Sequence, residues 1–285
     1  MKIKKLFAGR KLVIATMHEK ERVIAPLLEE HLGVEIIVPK NFNSDKFGTF
    51  TRETKRTGNQ LEAARAKVQA AMISEKVDLG VSSEGSFDAH PSIPFIQSDL
   101  ELVLFVDKKN KYEIKGHHQT QEANMDGQYV TSAKEALVFA QKIGFPQHGI
   151  IVRKSKTGHF GIHKNIQNEK ALVETVEKML SGLFSKKVFL ETDMRAHRNP
   201  TRMKAIEKAT KDLIKNILSL CPKCQSPGFV VVDFEKGLKC SLCNLPTNLP
   251  LNNVYQCNLC GYEEKRIVTK YGKAADPKYC GYCNP

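Results

Sequence analysis

No cysteine occurs in the first 220 residues of this 285-residue chain. That absence removes cysteine nucleophiles and cysteine metal sites from most of the sequence. Nothing approaches the roughly 18 consecutive apolar residues of a membrane-spanning helix, so neither a membrane span nor a membrane partner is expected. The opening stretch, MKIKKLFAGRKLVIAT, lacks both the apolar segment and the small-residue cleavage site of a secretory leader. A cytoplasmic protein with reduced thiols is the expectation. Tryptophan is missing, as are low-complexity linkers and any repeat beyond the cysteine pairs.

What the chain does have is eight cysteines gathered at its end as four Cys-x-x-Cys pairs: Cys221/Cys224, Cys240/Cys243, Cys257/Cys260 and Cys280/Cys283. Fifteen residues separate the first pair from the second, and nineteen the third from the fourth. Both gaps fit four-thiolate zinc sites. One such turn converges two thiolates on a metal, and a second completes a closed tetrahedron. The reading is two structural Zn²⁺ ions in two consecutive ribbon-like units. In the first, Phe229–Val232 and Gly237–Lys239 form a hairpin; in the second, Tyr262–Thr269 supplies a strand. A cross-braced pairing would use the same residues. Eight thiolates for two metals leave no open coordination position, so a catalytic zinc is not expected.

The length suits an α/β domain over residues 1–218, large enough to bury its own core, and a module over 219–285 that draws folding free energy from metal. The formal net charge of +13 favours an anionic partner: a nucleotide or other polyphosphate, or RNA or DNA. The lysines are scattered rather than gathered in one run.

Apolar runs at Leu12–Ala15 and Val34–Val38 bracket a helical stretch from Glu19 to Leu32 that Gly33 stops. This β-α-β beginning predicts a mixed sheet flanked by helices. A helix comes next, from Asn59 to Ile73, with Ala63, Ala66 and Ala70 on its packing face. After it lie a strand at Leu79–Ser82 ending in the loop Ser83–Ser86, and a strand at Leu102–Val106 turning back through Lys108–Lys111. Helices start at Ser132 and near residue 167, strands cover Gly149–Arg153 and Val188–Thr192, and Pro200 opens a last long helix.

Three polar segments sit where strands end or helices begin, the places where open α/β sheets bind ligands. Thr16 to Arg22 opens the first helix, whose exposed N–H groups attract phosphate, with Thr16 and Lys20 in reach. The stretch Phe47–Gly58 carries Arg52, Lys55 and Arg56, spaced for phosphate oxygens, and leads through helix and strand to Glu84. A carboxylate held on a strand suits a Mg²⁺ ligand or a general base. Glu191–Arg202 packs two acids, Arg195, Arg198, Arg202 and His197 between the last strand and the last helix. There an Arg195–Asp193 ion pair is the competing, purely structural use of one arginine. No serine or cysteine nucleophile constellation is evident, so water is the expected attacking group.

These segments, in this order, resemble the inosine/xanthosine triphosphatase fold, whose members hydrolyse non-standard purine nucleoside triphosphates. The family's Thr-x-Asn-x-x-Lys turn is matched by Thr16 and Lys20, and its Gly-led, Ala-rich helix by Arg56-Thr57-Gly58 and the helix after it. Its acid-ended strand is matched by Asp78 through Val81 to Glu84, and its His-Arg pair by His197-Arg198. His18 stands where the family has Asn, Lys20 comes one residue early, and Asn199-Pro200 replaces small residues. The resemblance implies Mg²⁺ held by Glu84, with His197 as a second catalytic group. It implies phosphate or base contacts from Thr16, Lys20, Arg56 and Arg198, to which the polar segments themselves add Arg52 and Arg195. The whole chain also looks like an uncharacterised bacterial family that joins an α/β domain to C-terminal four-cysteine zinc ribbons. The competing expectation is a non-catalytic RNA- or DNA-binding protein that uses the basic surface and the ribbons.

Overall fold

The computed structural model describes residues 2–40, 42–43, 58–90, 93–158, 160–182 and 186–285. The chain divides into two compact units: residues 1–109 with 115–214, and residues 110–114 with 215–285. Arg52 and Arg56, expected to contact phosphate, lie outside the described residues.

The first unit begins with a short helix α1 (Lys2–Phe7), which the sequence pattern does not announce. Strand β1 (Lys11–Ala15) buries Leu12, Val13, Ile14 and Ala15, so apolar residues on both faces mark it as an interior strand. Helix α2 (Glu21–Leu32) packs through Ile24, Leu28 and Leu32, and Gly33 ends it at φ 71°, a conformation glycine adopts without strain. Strand β2 (Glu35–Ile37) pairs parallel with β1. Asn59 then caps α3 (Gln60–Glu75) in a reciprocal capping box with Glu62. The buried face of α3 is Ala63, Ala64, Lys67, Val68, Ala71 and Met72. The expected alanine face is therefore rotated: Ala66 is exposed, and a lysine lies on the side that packs.

Strand β3 (Leu79–His90) is parallel to β1 and antiparallel to β4 (Ile93–Asp107), and β5 (Tyr112–Thr120) completes the order β2-β1-β3-β4-β5. Ser83–Ser86 is therefore strand, not loop. The pairing of β1 with β3 ends at Ala15–Ser82, while β4 continues to pair with β3 beyond that point. Glu84 thus sits within a strand that has lost one neighbour. Helix α3 covers one face over Val13, Ala15, Leu102 and Leu104. On the other face Phe7 packs edge-on against Phe105, and helix α6 (Pro200–Leu218) crosses β5 at Gly116.

A second sheet, not foreseen as separate, joins β6 (Gly127–Val130), β7 (Ile150–Arg153), β8 (Ile162–His163) and β9 (Val188–Thr192) in the antiparallel order β6-β9-β7-β8. Helices α4 (Ala133–Ile143) and α5 (Glu169–Leu180) bury Phe139, Leu172 and Val176 against its Val152, Val188 and Leu190.

The second unit is an antiparallel meander of β10 (Val230–Lys236), β11 (Pro250–Gln256) and β12 (Glu263–Ile267). Strand β10 pairs with β11 and not with Gly237–Lys239, so the expected first hairpin is replaced. The apolar centre is small: Phe229 lies beside Tyr255 and Tyr262, with centroids 5.5 and 5.9 Å away. No described helix in either unit is long and apolar enough to cross a membrane.

Candidate functional site

In the second unit the cysteines form two quartets, Cys221/Cys224/Cys257/Cys260 and Cys240/Cys243/Cys280/Cys283. The pairing is interleaved, first turn with third and second with fourth, so the expected consecutive ribbons give way to the cross-braced arrangement. Strand order is the reason. Strand β11 returns beside β10 and carries the third turn back to the first.

Sulfur separations are 3.7 Å for Cys221–Cys260, 3.6 Å for Cys224–Cys257, 3.9 Å for Cys240–Cys283 and 3.6 Å for Cys243–Cys280. A tetrahedron with Zn–S of about 2.3 Å requires edges of about 3.8 Å, whereas a disulfide requires about 2.05 Å. The quartets fit two structural zinc ions. Backbone N–H groups of Cys283 and Tyr282 draw the Cys280 thiol down to about 7. Burial opposes ionisation of Cys257, yet hydrogen bonds from Ser226 and from the N–H groups of Cys260 and Leu259 bring it down to about 6. Cys283 is pushed up to about 12, first by hydrogen bonding to Cys243 and then by desolvation. Four thiols this close cannot all ionise unless a cation joins them.

In the first unit a group of buried charges surrounds β3 just past the end of β1. Lys20, at the start of α2, is buried, and its Nζ donates to Ser83 Oγ at 2.9 Å and Ser83 O at 3.2 Å. Burial, then the charge of Arg202, lowers the Lys20 ammonium to about 7; Lys67 adds to this, while Glu101 and Glu84 oppose it. Glu84 forms a buried ion pair with Lys67 of α3. The Gln60 side-chain amide donates to Glu84 O at 2.7 Å and Leu100 O at 2.8 Å, tying the start of α3 to both strands.

Gly85 lies opposite Glu101, and Phe87 opposite Asp99, so those acids share the β3–β4 face away from α3. There Arg202 Nε donates to Glu101 Oε1 at 2.5 Å and Nη1 to Met194 O at 2.5 Å, with the guanidinium 5.3 Å from the Phe87 ring. A Cβ on Gly85 would press on Glu101 Oε1 and Arg202 Nη2, so a side chain there would require this ion pair to shift. Asp99 is fully buried, and neither its oxygens nor Glu101 Oε2 meets a donor. Burial first, then the charge of Glu101, raises Asp99 to about 8. A proton on Asp99 shared with Glu101 accounts for both observations.

His197 stacks on His18, with centroids 5.1 Å apart and planes 15° apart. Burial, then His18 and Arg195, lowers its ring below the usual histidine value. The loop after β1 therefore touches His197 through His18 and reaches β3 through Lys20. Within that loop, Thr16 is buried and its Oγ1 accepts from His18 N at 3.3 Å.

A family model described as "Domain of unknown function (DUF6671)" matches residues 67–285, more than half of the chain. The chain belongs to the DUF6671 family. No curated protein matches it. In this DUF6671 protein the matched span begins at Lys67 and includes Glu84, Asp99, Glu101, Arg202 and all eight cysteines, while Thr16 and Lys20 precede it.

The arginines of residues 191–202 are occupied. Arg195 pairs with Asp193 through Nε and Nη2 (2.6 Å at the closest) and also reaches Asn165 Oδ1. Arg198 Nη2 donates to Ile166 O at 2.8 Å. Both brace the loop that holds His197. Ser83 and Arg202, which lay in the candidate segments without an assigned role, complete the buried group together with Lys67, Asp99 and Glu101, which were absent from the expected site. Asp99 and Glu101 alternate with Leu100 and Leu102 inside β4, just ahead of the apolar run that the sequence marks as a strand, a period-two signal that could have located them. Lys67 has helical spacing with Ala63, Ala64 and Ala71.

Proposed function

We propose that the first unit binds and hydrolyses a nucleotide or related polyphosphate at the C-terminal end of β1, beside the middle of β3. One observation carries the reading. Lys20 is a buried ammonium whose hydrogen-bond partners are two neutral oxygens of one serine. Such a cation is costly to desolvate and gains most from an anion. It stands at the start of α2, where backbone N–H groups also favour phosphate, and at a strand end, where α/β sheets take ligands. The resemblance of Thr16, Lys20, Glu84 and His197 to the triphosphatase motifs points the same way.

Glu84 would hold Mg²⁺, which is commonly bound by one or two carboxylates together with substrate phosphates and water. When bound, the ion would neutralise charge on the phosphates. Lys20 would anchor a phosphate, Lys67 would orient the Glu84 carboxylate through their ion pair, and His197 with His18 would offer a flat face to the base. Arg195 and Arg198 have a positioning role through the His197 loop. The paired, unoxidised thiols fit a cytoplasmic protein.

The test is a panel of common, inosine and xanthosine triphosphates incubated with the full chain and Mg²⁺, monitored for released pyrophosphate or phosphate. Turnover of at least one nucleotide is expected, abolished in Glu84→Gln, with binding weakened at least tenfold in Lys20→Met. If no nucleotide binds or turns over, the proposal fails.

A further inference from the structure

A groove of about 500 Å³ lies beside the second cysteine quartet, lined by Lys236, Leu245, Pro246, Asn248 and Tyr282 among others. Tyr282 is the third residue of the Cys280–Cys283 turn, and the residue is 75% exposed. Its backbone is fixed, because the Tyr282 N–H bonds the Cys280 sulfur. The opposite strand of the loop is also pinned: Thr247 Oγ1 donates to Leu238 O at 2.7 Å, holding the Leu245–Asn248 segment in place. A large aromatic ring is thus held out in solvent on a rigid metal turn, next to an apolar wall and an amide.

Lys236 supplies the charged side chain that lines this groove. Four of the unit's carboxylates are already engaged. Asp233 accepts from Phe234 N, Glu235 binds Asn252 and Lys265, Glu264 binds Arg266, and Asp276 pairs with Lys278. Lys236, in the groove, and Lys239, beside Cys240, have no carboxylate partner among the described residues, nor do Lys270 and Lys273. Lys236 therefore presents unpaired positive charge in the same groove as the exposed Tyr282.

We infer that this groove is a binding site for single-stranded nucleic acid, with an unpaired base stacked on Tyr282, its edge read by Asn248 and the adjoining phosphate held by Lys236. A flat π-face next to backbone-tracking lysines is the recurrent chemistry of single-strand binding, and every base can use it. A duplex keeps its bases stacked on one another and offers no free face to Tyr282. The amide of Asn248 can both donate and accept, which suits the edge of a base better than an acidic side chain. The site is separate in sequence and chemistry from the proposed hydrolytic centre.

The probes are a fluorescein-labelled 15-mer of uridylate, the thymidylate 15-mer, and a duplex of equal length, titrated with the zinc-loaded full chain while anisotropy is read at several salt concentrations. The single strands should bind more tightly than the duplex, and the affinity should fall with salt. Tyr282→Ala should weaken binding about tenfold or more, Tyr282→Phe should restore it, and Lys236→Glu should weaken it and flatten the salt dependence. Tyr282 is exposed, so each variant should keep two zinc ions and unchanged nucleotide hydrolysis. The inference is overturned if neither single strand binds, if Tyr282→Ala binds like the wild type, if the duplex binds as tightly as the single strands, or if a glutamate-rich peptide displaces the oligonucleotide from the groove.

Discussion

Asp99 and Lys20 show how a few buried groups set the chemistry of the first unit. Asp99 holds its proton to about 8 when folded, against an ordinary value of 3.8. Between those values the unfolded chain has released the proton and the folded one has not. Folding is therefore favoured at low pH, and Asp99's contribution is lost as pH rises from about 4 to about 8. Lys20 acts in the opposite sense. Its folded value of about 7 lies below the ordinary 10.5, so the unfolded chain binds the extra proton across that window and stability rises with pH there. Asp99→Asn should remove the first effect alone. Urea midpoints for wild type and D99N should diverge as pH rises from 5 to 8, with the wild type falling relative to the variant. Parallel curves across that range would show that Asp99 is ionised in the fold. The sequence displayed Asp99 and Glu101 openly, and their alternation with Leu100 and Leu102 marks a strand, but nothing local says that the acidic face will be carried inward. That becomes evident only once Arg202, a hundred residues away, is seen to meet Glu101.

At the level of elements, caps and apolar periodicity made most helices legible. Gly33, Asn59, Ser132 and Asn168 end or begin theirs as their side chains dictate. Elements decided by tertiary pairing were not legible. Ser83–Ser86 reads as a turn by composition, yet β4 supplies a full ladder and extends β3 through it. The face of α3 was misplaced because alanines occur all round that helix; the sheet selected Ala63, Ala64 and Ala71 and drew Lys67 in with them. Gly116 was also silent. In β5 a Cβ at that position would collide with the backbone of α6 at Leu213 and Ala209, so helix and strand approach more closely than side chains allow. Gly116→Ala should destabilise the protein by about 1–3 kcal/mol, the usual range for overpacking. Because α6 also carries Arg202, the variant should lose any nucleotide hydrolysis along with stability. A neutral urea midpoint would mean that α6 can move away without cost.

On the scale of the whole molecule, the eight cysteines announced two metal sites, but their spacing could not say which turns share a metal. Sequential spacing within the first and second pairs satisfied a four-thiolate rule as well as the true arrangement did. The decision rests with the β10–β11–β12 meander, which brings the third turn back to the first and the fourth to the second. Because of the interleaving, losing either metal releases two segments far apart in sequence, with two strands of the meander between them. This gives a direct test. In Cys221→Ser the full chain should retain one zinc ion. Alkylation and mass mapping should then label Cys224, Cys257 and Cys260, while Cys240, Cys243, Cys280 and Cys283 stay protected. Consecutive ribbons would instead expose Cys240 and Cys243 and protect Cys257 and Cys260. The two outcomes use the same variant and reagent, so the pattern of labelled cysteines decides between them.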